Sequence, residues 1–189
     1  MTRPRSQVSC VQACIVGPGL LAAPRSCVLV SWNMAKWTLV IHGGASTSLL
    51  DRRVQSQSTR SNPRQREMDA SLRAGARVLA AGGTALDAVE AAVVSMEDDE
   101  AFNCGKGSVF TAAGTQEMDA SIMTGHDLNC GAVAGLTRTR NPIRAARYVM
   151  ESTPHVFFSG EGAEKIALAA GLPQEDAAYF NVKSRRDAL

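Results

Sequence analysis

Apolar and polar residues alternate with two distinct periods along the first half of the chain. The run Trp37 to Ile41 is short, apolar and rich in β-branched residues, which predicts a buried strand. From Glu67 to Ala81 the apolar residues recur at helical spacing, and Gly82-Gly83 predicts the end of this helix. Thr84, followed three residues later by Asp87, forms a capping box and predicts a second helix. The short connection predicts that the two helices are antiparallel neighbours.

The second half of the pattern predicts a hairpin, a strand and two more helices. Val109–Thr111 and Glu117–Met123 flank a turn signal and predict a β-hairpin, and Gly131–Leu136 predicts a further strand. Asn141-Pro142 predicts a helix start, because proline suits the first helical position, and Gly162–Ala170 predicts the last helix. The order of elements indicates a mixed α/β (α+β) chain.

Composition narrows the function classes. The 189 residues suffice for one domain, and a hydrophobic fraction of 45% can build its core. The net charge is only +2 and no Lys/Arg run is dense, which argues against nucleic acid as a partner. No apolar run reaches the roughly 20 residues that span a bilayer, which argues against membrane insertion.

The N-terminal region differs in charge from the rest. Residues 1–50 contain arginines but no Asp or Glu, and the first acid is Asp51. This composition is typical of a mitochondrial transit peptide. A disordered extension and a secretory signal are the alternatives, although the Gly17-Pro18-Gly19 turn interrupts the apolar stretch that a signal needs. We therefore treat residues 1–34 as an extension that precedes the domain.

Cysteine usage indicates the compartment. Three of the five cysteines lie in the extension, and only Cys104 and Cys130 belong to the expected domain. This is not a disulfide framework, so a reducing compartment is expected: the cytoplasm, with mitochondria as the alternative. Glu117 and Asp119 share one strand face and are expected to be structural, by anchoring loop amides.

The segment Glu97–Met123 is richest in candidate chemistry. It opens with three adjacent acids and continues into the glycine-rich loop Phe102–Gly107. Such a turn can point backbone carbonyls inward, and hard cations favour oxygen ligands. Spacing alone favours a solvated acidic helix end followed by a glycine turn. A phosphate-binding P-loop is excluded, because Glu100 stands where its first glycine is needed and Gly107 where its Ser/Thr is needed.

With His42-Gly43-Gly44 upstream and Asn141-Pro142-Ile143 downstream, this segment resembles the N-terminal half of an asparaginase of the N-terminal-nucleophile hydrolase superfamily. The members it most resembles act on L-asparagine and on β-aspartyl (isoaspartyl) peptides. The resemblance implies that residues 35–175 form the N-terminal half of a four-layer αββα sandwich. Residues 176–189 are then expected to be a flexible linker or tail.

The resemblance also implies site residues. The His42-Gly43-Gly44 loop is expected near the scissile bond of self-cleavage, and the Asn103 amide beside the nucleophile. No organic cofactor is implied, but a structural sodium ion is. Its main-chain carbonyl ligands would be Met96, Glu97, Asp99, Phe102, Cys104 and Lys106.

In the family that the chain resembles, the nucleophile is a threonine freed by self-cleavage. The chain contains no Gly-Thr-Val-Gly motif, so this threonine is expected beyond Leu189, and the chain is expected to hydrolyse nothing alone. The resemblance implies a C-terminal β subunit as partner and a homo-oligomer of αβ units. Two alternatives stay open: a non-catalytic truncated isoform or partner subunit, and a binding module for a small acidic ligand.

Overall fold

The first sheet lies at the N-terminal side of the chain. The computed structural model describes residues 37–44 and 63–187, together with the backbone of strands β1 (Gln12–Val16) and β2 (Val28–Val30). Strand β3 (Thr38–His42) pairs antiparallel with both, in the order β1-β3-β2. The predicted strand at Trp37 to Ile41 is thereby confirmed. The prediction of a transit peptide rests mostly on residues outside the described ranges.

Helices α1 (Pro63–Ala80) and α2 (Ala85–Glu97) pack against each other. Helix α1 begins four residues before the predicted start at Glu67, because Pro63 is favourable in a first helical turn. Ser71 Oγ lies 3.2 Å from Ser95 Oγ, while Gly75 faces Ala88 farther along the pair. As the residue numbers of the contacting positions rise along α1, those of their partners fall along α2. The predicted antiparallel arrangement is therefore confirmed.

The capping box at the start of α2 is present as predicted. The Asp87 amide donates to Thr84 Oγ1 at 3.1 Å, and the Thr84 amide donates to Asp87 Oδ2 at 3.2 Å. Two of the four amides that a helix start leaves without a partner are thus satisfied. Gly82 has φ +84°, the left-handed conformation in which glycine ends the preceding helix.

We expect Thr84→Ala to lower the free energy of unfolding by about 1 kcal/mol, because the substitution removes the cap oxygen. Urea unfolding followed by circular dichroism measures the change. Thr84→Ser keeps the hydroxyl and is the matched control, with a free energy near that of the unmodified chain. Equal losses in the two variants would show that the hydroxyl does not stabilise the helix.

The cap also predicts a dependence of stability on pH. Hydrogen bonds from Thr84 and Arg147 hold the pKa of Asp87 below its ordinary value. A depressed carboxyl pKa contributes stability above the unfolded pKa, and this contribution is lost as the pH falls through the folded pKa. We therefore expect the stability difference between the unmodified chain and Asp87→Asn to shrink on acidification below about pH 4. A difference that stays constant from pH 6 to pH 3 would contradict this assignment.

The second sheet contains strands β4 (Met118–Met123), β5 (Cys130–Leu136) and β6 (Phe157–Ser159), in the order β4-β5-β6. Strand β4 is antiparallel to β5, and β6 is parallel to β5. The predicted hairpin is present only as a tight turn, in which the Thr111 amide donates to the Thr115 oxygen at 2.7 Å beside the isolated antiparallel bridge Phe110–Gln116. The prediction that β4 is an arm of this hairpin is wrong. Strand β4 pairs with β5 instead, where its alternate apolar residues Met118 and Ile122 enter the core.

Helix α3 (Pro142–Ser152) lies between β5 and β6 in the chain, and β6 is followed by α4 (Gly160–Ala169) and the short α5 (Ala177–Phe180) and α6 (Lys183–Arg186). Pro142 occupies the first helical position, as predicted. Helices α3 and α4 pack on β5, and the core between these elements and β4 is apolar. Its buried members include Met118, Ile122, Val133, Leu136, Ile143, Val149, Met150 and Phe180.

These elements confirm the mixed α/β class. The four-layer αββα arrangement stays a prediction. Within the described residues, none of the helices combines the length and the apolar character needed to cross a bilayer.

Candidate functional site

The glycine loop, by which we now mean residues 98–107, begins where α2 ends. It closes in a single 3₁₀ turn, Gly105–Gly107. Gly105 has φ +50°, and a Cβ there would overlap the Glu97 carbonyl and lie 2.6 Å from its Cα. A Cβ on Gly107 would overlap the Phe102 carbonyl and lie 2.7 Å from the Glu100 oxygen. Only glycine permits such close approach. The absence of both side chains therefore lets the backbone carbonyls of the loop crowd together.

The main-chain oxygens of this loop are of the type that hard cations favour. The Met96 oxygen accepts from the Asp99 amide at 3.2 Å, and the Cys104 oxygen accepts from the Gly107 amide at 3.1 Å. Each carbonyl oxygen has a second lone pair, so both could still ligate an ion. In the described part of the chain no group of three or more His, Cys, Asp or Glu side chains could hold a metal. That finding concerns side chains and leaves the six main-chain ligands a prediction.

The His-Gly-Gly turn lies against this loop. Gly43 is buried, and a Cβ there would approach Phe102 Cε1 to 3.1 Å and Met68 Sδ to 2.6 Å. The Gly43 oxygen accepts from Arg64 Nη2 at 2.8 Å, and the Gly44 amide donates to His42 Nδ1 at 3.3 Å. The fold thus brings together two sequence motifs that are almost 60 positions apart.

Asn103 directly follows the contact residue Phe102. Its Oδ1 accepts from the Val109 amide at 2.8 Å, which fixes the side chain across the glycine loop. The carbonyl oxygen of the amide group is therefore used within the loop, and its NH₂ group is the part suited to donate outward. The role beside a nucleophile stays a prediction.

The Glu97 side chain has a structural role that the sequence did not indicate. Its side chain is buried, and Oε1 accepts from the Ile143 amide at 2.9 Å, at the start of α3. Burial raises the pKa of Glu97 to about 8, against the opposing effects of the Ile143 amide and the nearby Asn141 side chain. Within the described residues Oε2 has no hydrogen-bond partner. The Asn141 side chain does not cap α3 itself, and it donates to Asp98 instead.

Asp98 joins the end of α2 to the segment before α5. Its Oδ1 accepts from Arg140 Nε at 3.0 Å, and Arg140 Nη1 lies 3.4 Å from Glu175 Oε1. Two cations flank the Tyr179 ring: Arg140 Cζ at 5.4 Å and Lys106 Nζ at 5.8 Å from its centroid. Burial raises the pKa of the Tyr179 hydroxyl, and the Asp98 charge adds to this effect. Lys106 thus connects the glycine loop to this cluster.

The other candidate residues have structural positions. Asp119 Oδ1 accepts from the Gly135 amide at 2.9 Å. Asp119 is therefore structural, as predicted, but its partner is an amide of strand β5 and not of a loop. Glu117 is exposed. Cys104 and Cys130 are both of intermediate exposure.

These features define a mixed α/β domain whose closely packed glycine loop lies beside the His42-Gly43-Gly44 turn. Residues 35–189 match the family described as Asparaginase. The chain belongs to the asparaginase family.

Its relatives carry consistent names. The chain is 44% identical over 156 residues to the isoaspartyl peptidase/L-asparaginase of Rattus norvegicus, a match that covers 82% of this chain and 43% of the relative. It is 40% identical over 156 residues to the isoaspartyl peptidase of Escherichia coli, covering 82% and 48%. The Homo sapiens isoaspartyl peptidase/L-asparaginase is 44% identical over 136 residues, covering 72% and 42%. The chain therefore spans less than half the length of these relatives.

Proposed function

We propose that this chain forms the N-terminal part of a hydrolase that acts on L-asparagine, on β-aspartyl peptides, or on both. The observation that carries the proposal is the 40–44% identity to the bacterial and rat relatives. The contact between the His42-Gly43-Gly44 turn and the Phe102 end of the glycine loop supports it, because this contact joins the two motifs of the resemblance.

The proposed reaction is acyl transfer to a threonine. Self-cleavage after the residues of this chain exposes a threonine as a new N-terminus. Its hydroxyl attacks the side-chain carbonyl carbon of the substrate, while its α-amine takes the proton and passes it to the leaving amine or ammonia. An α-amine suits this role because its pKa lies near neutrality. Water then hydrolyses the acyl-threonine ester, which releases aspartate and restores the hydroxyl.

This chain would supply positioning groups for that reaction. His42, Gly43 and Gly44 would border the scissile bond, and the Asn103 amide would hydrogen-bond the backbone beside the nucleophile. A sodium ion would supply positive charge that fixes the loop oxygens in place. Its proposed carbonyl ligands are Met96, Glu97, Asp99, Phe102, Cys104 and Lys106. The proposed partners are a C-terminal β subunit and further αβ units, in the cytoplasm or in mitochondria.

The test joins residues 35–189 to the segment that follows the matched region in the E. coli relative. We expect the fusion to cleave itself into two chains and then to release ammonia from L-asparagine or leucine from β-aspartyl-leucine. The 189-residue chain alone should release neither. Asn103→Ala in the fusion should lower kcat about tenfold or more through lost positioning. Asn181→Ala, at an exposed asparagine, is the matched control and should leave kcat unchanged.

Two outcomes would contradict the proposal. Ammonia release by the 189-residue chain above a blank would place a nucleophile within it. A folded and cleaved fusion that turns over neither substrate would favour a non-catalytic partner subunit instead.

A further inference from the structure

Arg185, on helix α6, donates to three carbonyls of the glycine loop. Its Nε lies 2.7 Å from the Gly107 oxygen, and its Nη2 lies 3.3 Å from the oxygens of Glu100 and Ala101. The side chain is partly buried, and it spans almost 80 positions of sequence to reach Gly107. A planar guanidinium suits this contact, because its donors lie in a fixed fork that can bind several oxygens at once.

These three carbonyls are not among the proposed sodium ligands. The proposed set uses positions 96, 97, 99, 102, 104 and 106, whereas Arg185 binds positions 100, 101 and 107. Two cations would therefore share one loop and divide its oxygens between them. The guanidinium satisfies carbonyls that the ion would leave without a partner, and a partly buried carbonyl without a partner is unfavourable.

The segment that carries Arg185 is itself fastened at several points. The Arg140 amide donates to the Pro173 oxygen at 3.0 Å, and Gln116 Nε2 donates to the Phe180 oxygen at 2.6 Å. The Phe180 side chain is only 1% exposed. Residues 173–187, which we call the strap, therefore run along the domain from residues 138–140, which follow β5, to the glycine loop. Arg185 is the contact between the strap and the carbonyls of that loop.

We infer that Arg185 is a positioning residue that holds the glycine loop in its cation-binding shape. The part concerning the cation rests on the function proposed above. The guanidinium acts as a fixed counter-charge to the Gly107, Glu100 and Ala101 oxygens, so the loop has fewer conformations to lose when a monovalent cation binds. The neighbouring Arg186 has no such role, because its Nε donates to Asn181 Oδ1 and its side chain is exposed.

Hydrogen–deuterium exchange of the 189-residue chain tests this inference without any assay of activity. The variants are Arg185→Met, Arg185→Lys and the matched control Arg186→Met. In choline chloride, we expect the amides of residues 98–110 to exchange about tenfold faster or more in Arg185→Met, because a hydrogen bond to a charged group is lost. Lysine keeps the charge but not the fork, so Arg185→Lys should restore only part of the protection. Arg186→Met should match the unmodified chain.

A second titration, with sodium chloride at constant ionic strength, measures the link to the cation. We expect sodium to slow exchange in residues 98–110 of the unmodified chain, with a half-saturation concentration about tenfold lower than in Arg185→Met. Amides of α3 serve as the internal reference, since loss of their protection would report general unfolding. If Arg185→Met unfolds generally, Arg185→Lys decides the question by the same comparison.

The outcomes separate the two proposals. Unchanged exchange of residues 98–110 in Arg185→Met, or full protection in Arg185→Lys, would overturn the positioning role of the fork. Equal sodium half-saturation in Arg185→Met and the unmodified chain would overturn its link to the cation. If sodium does not change exchange in the unmodified chain, the cation site itself is wrong, whereas the choline experiment still decides whether Arg185 orders the loop.

Discussion

Gly107→Ala should lower the free energy of unfolding by about 3 kcal/mol and abolish the sodium response of the glycine loop. The added methyl would overlap the Phe102 oxygen and lie 2.7 Å from the Glu100 oxygen. Both obstacles are backbone atoms, so no side chain can rotate away to make room. The loop must open, and its carbonyls then lose their common orientation. Urea unfolding measures the stability, and exchange of residues 98–110 with and without sodium measures the response.

Gly125→Ala is the matched control for this substitution. Gly125 lies in the exposed turn between β4 and β5, and a Cβ there meets nothing within 4 Å. Neither Gly107 nor Gly125 has a positive φ, so the two variants differ mainly in the space that the methyl finds. The control should stay within about 0.5 kcal/mol of the unmodified chain. Equal unfolding midpoints for the two variants would show that the loop is not closely packed.

The sequence predicted those features that depend on a few neighbouring residues. Thr84 and Asp87 predict a helix start because each side chain bonds the other residue's amide within three positions. Asn141-Pro142 predicts the next start because the proline ring fixes φ near the helical value. Asp119 was expected to anchor a loop amide, but its Oδ1 accepts from the Gly135 amide, which lies in strand β5.

The features that the sequence did not predict depend on distant partners. Strand β4 was assigned to a hairpin with the preceding segment, since both arms have suitable residues, but its apolar face is buried only beside β5 and α3. Residues 176–189 were expected to be a flexible linker or tail, and residues 183–189 are mostly polar. The structure places two short helices there, and Arg185 contacts a loop far away in sequence. Composition cannot distinguish an arginine in solvent from one bound to carbonyls.

In the candidate site, too, the sequence predicted local features but not contacts between distant residues. Glycine spacing indicated the loop, and the structure explains the spacing, because Gly105 and Gly107 each approach a backbone carbonyl too closely for any side chain. The contact between Gly43 and Phe102 could not be found from either motif alone. The Glu97 side chain was missed because three adjacent acids favour a solvated helix end. Only the packing of α2 beside α3 shows that this carboxyl is buried while Glu100 is exposed.

Glu97→Ala should lower the free energy of unfolding by about 3 kcal/mol. The substitution leaves the buried Ile143 amide without its acceptor and opens a cavity between α2 and the start of α3. Glu97→Gln retains the shape and an oxygen acceptor. Since burial favours the neutral form of Glu97, the amide should cost no more than about 1 kcal/mol. Urea unfolding near neutral pH measures both variants.

Glu100→Ala is the control for Glu97→Ala, because Glu100 is exposed and its hydrogen bond to Arg185 uses the main-chain oxygen, which alanine retains. It should change stability by less than about 0.5 kcal/mol.

Glu97 also connects the end of α2, from which the glycine loop starts, to the start of α3. If the bond between Glu97 and the Ile143 amide holds this end of the loop, the amides of residues 98–110 should exchange faster with deuterium in Glu97→Ala but not in Glu97→Gln. Equal stability of Glu97→Ala and Glu100→Ala would show that the buried carboxyl neither caps α3 nor supports the loop.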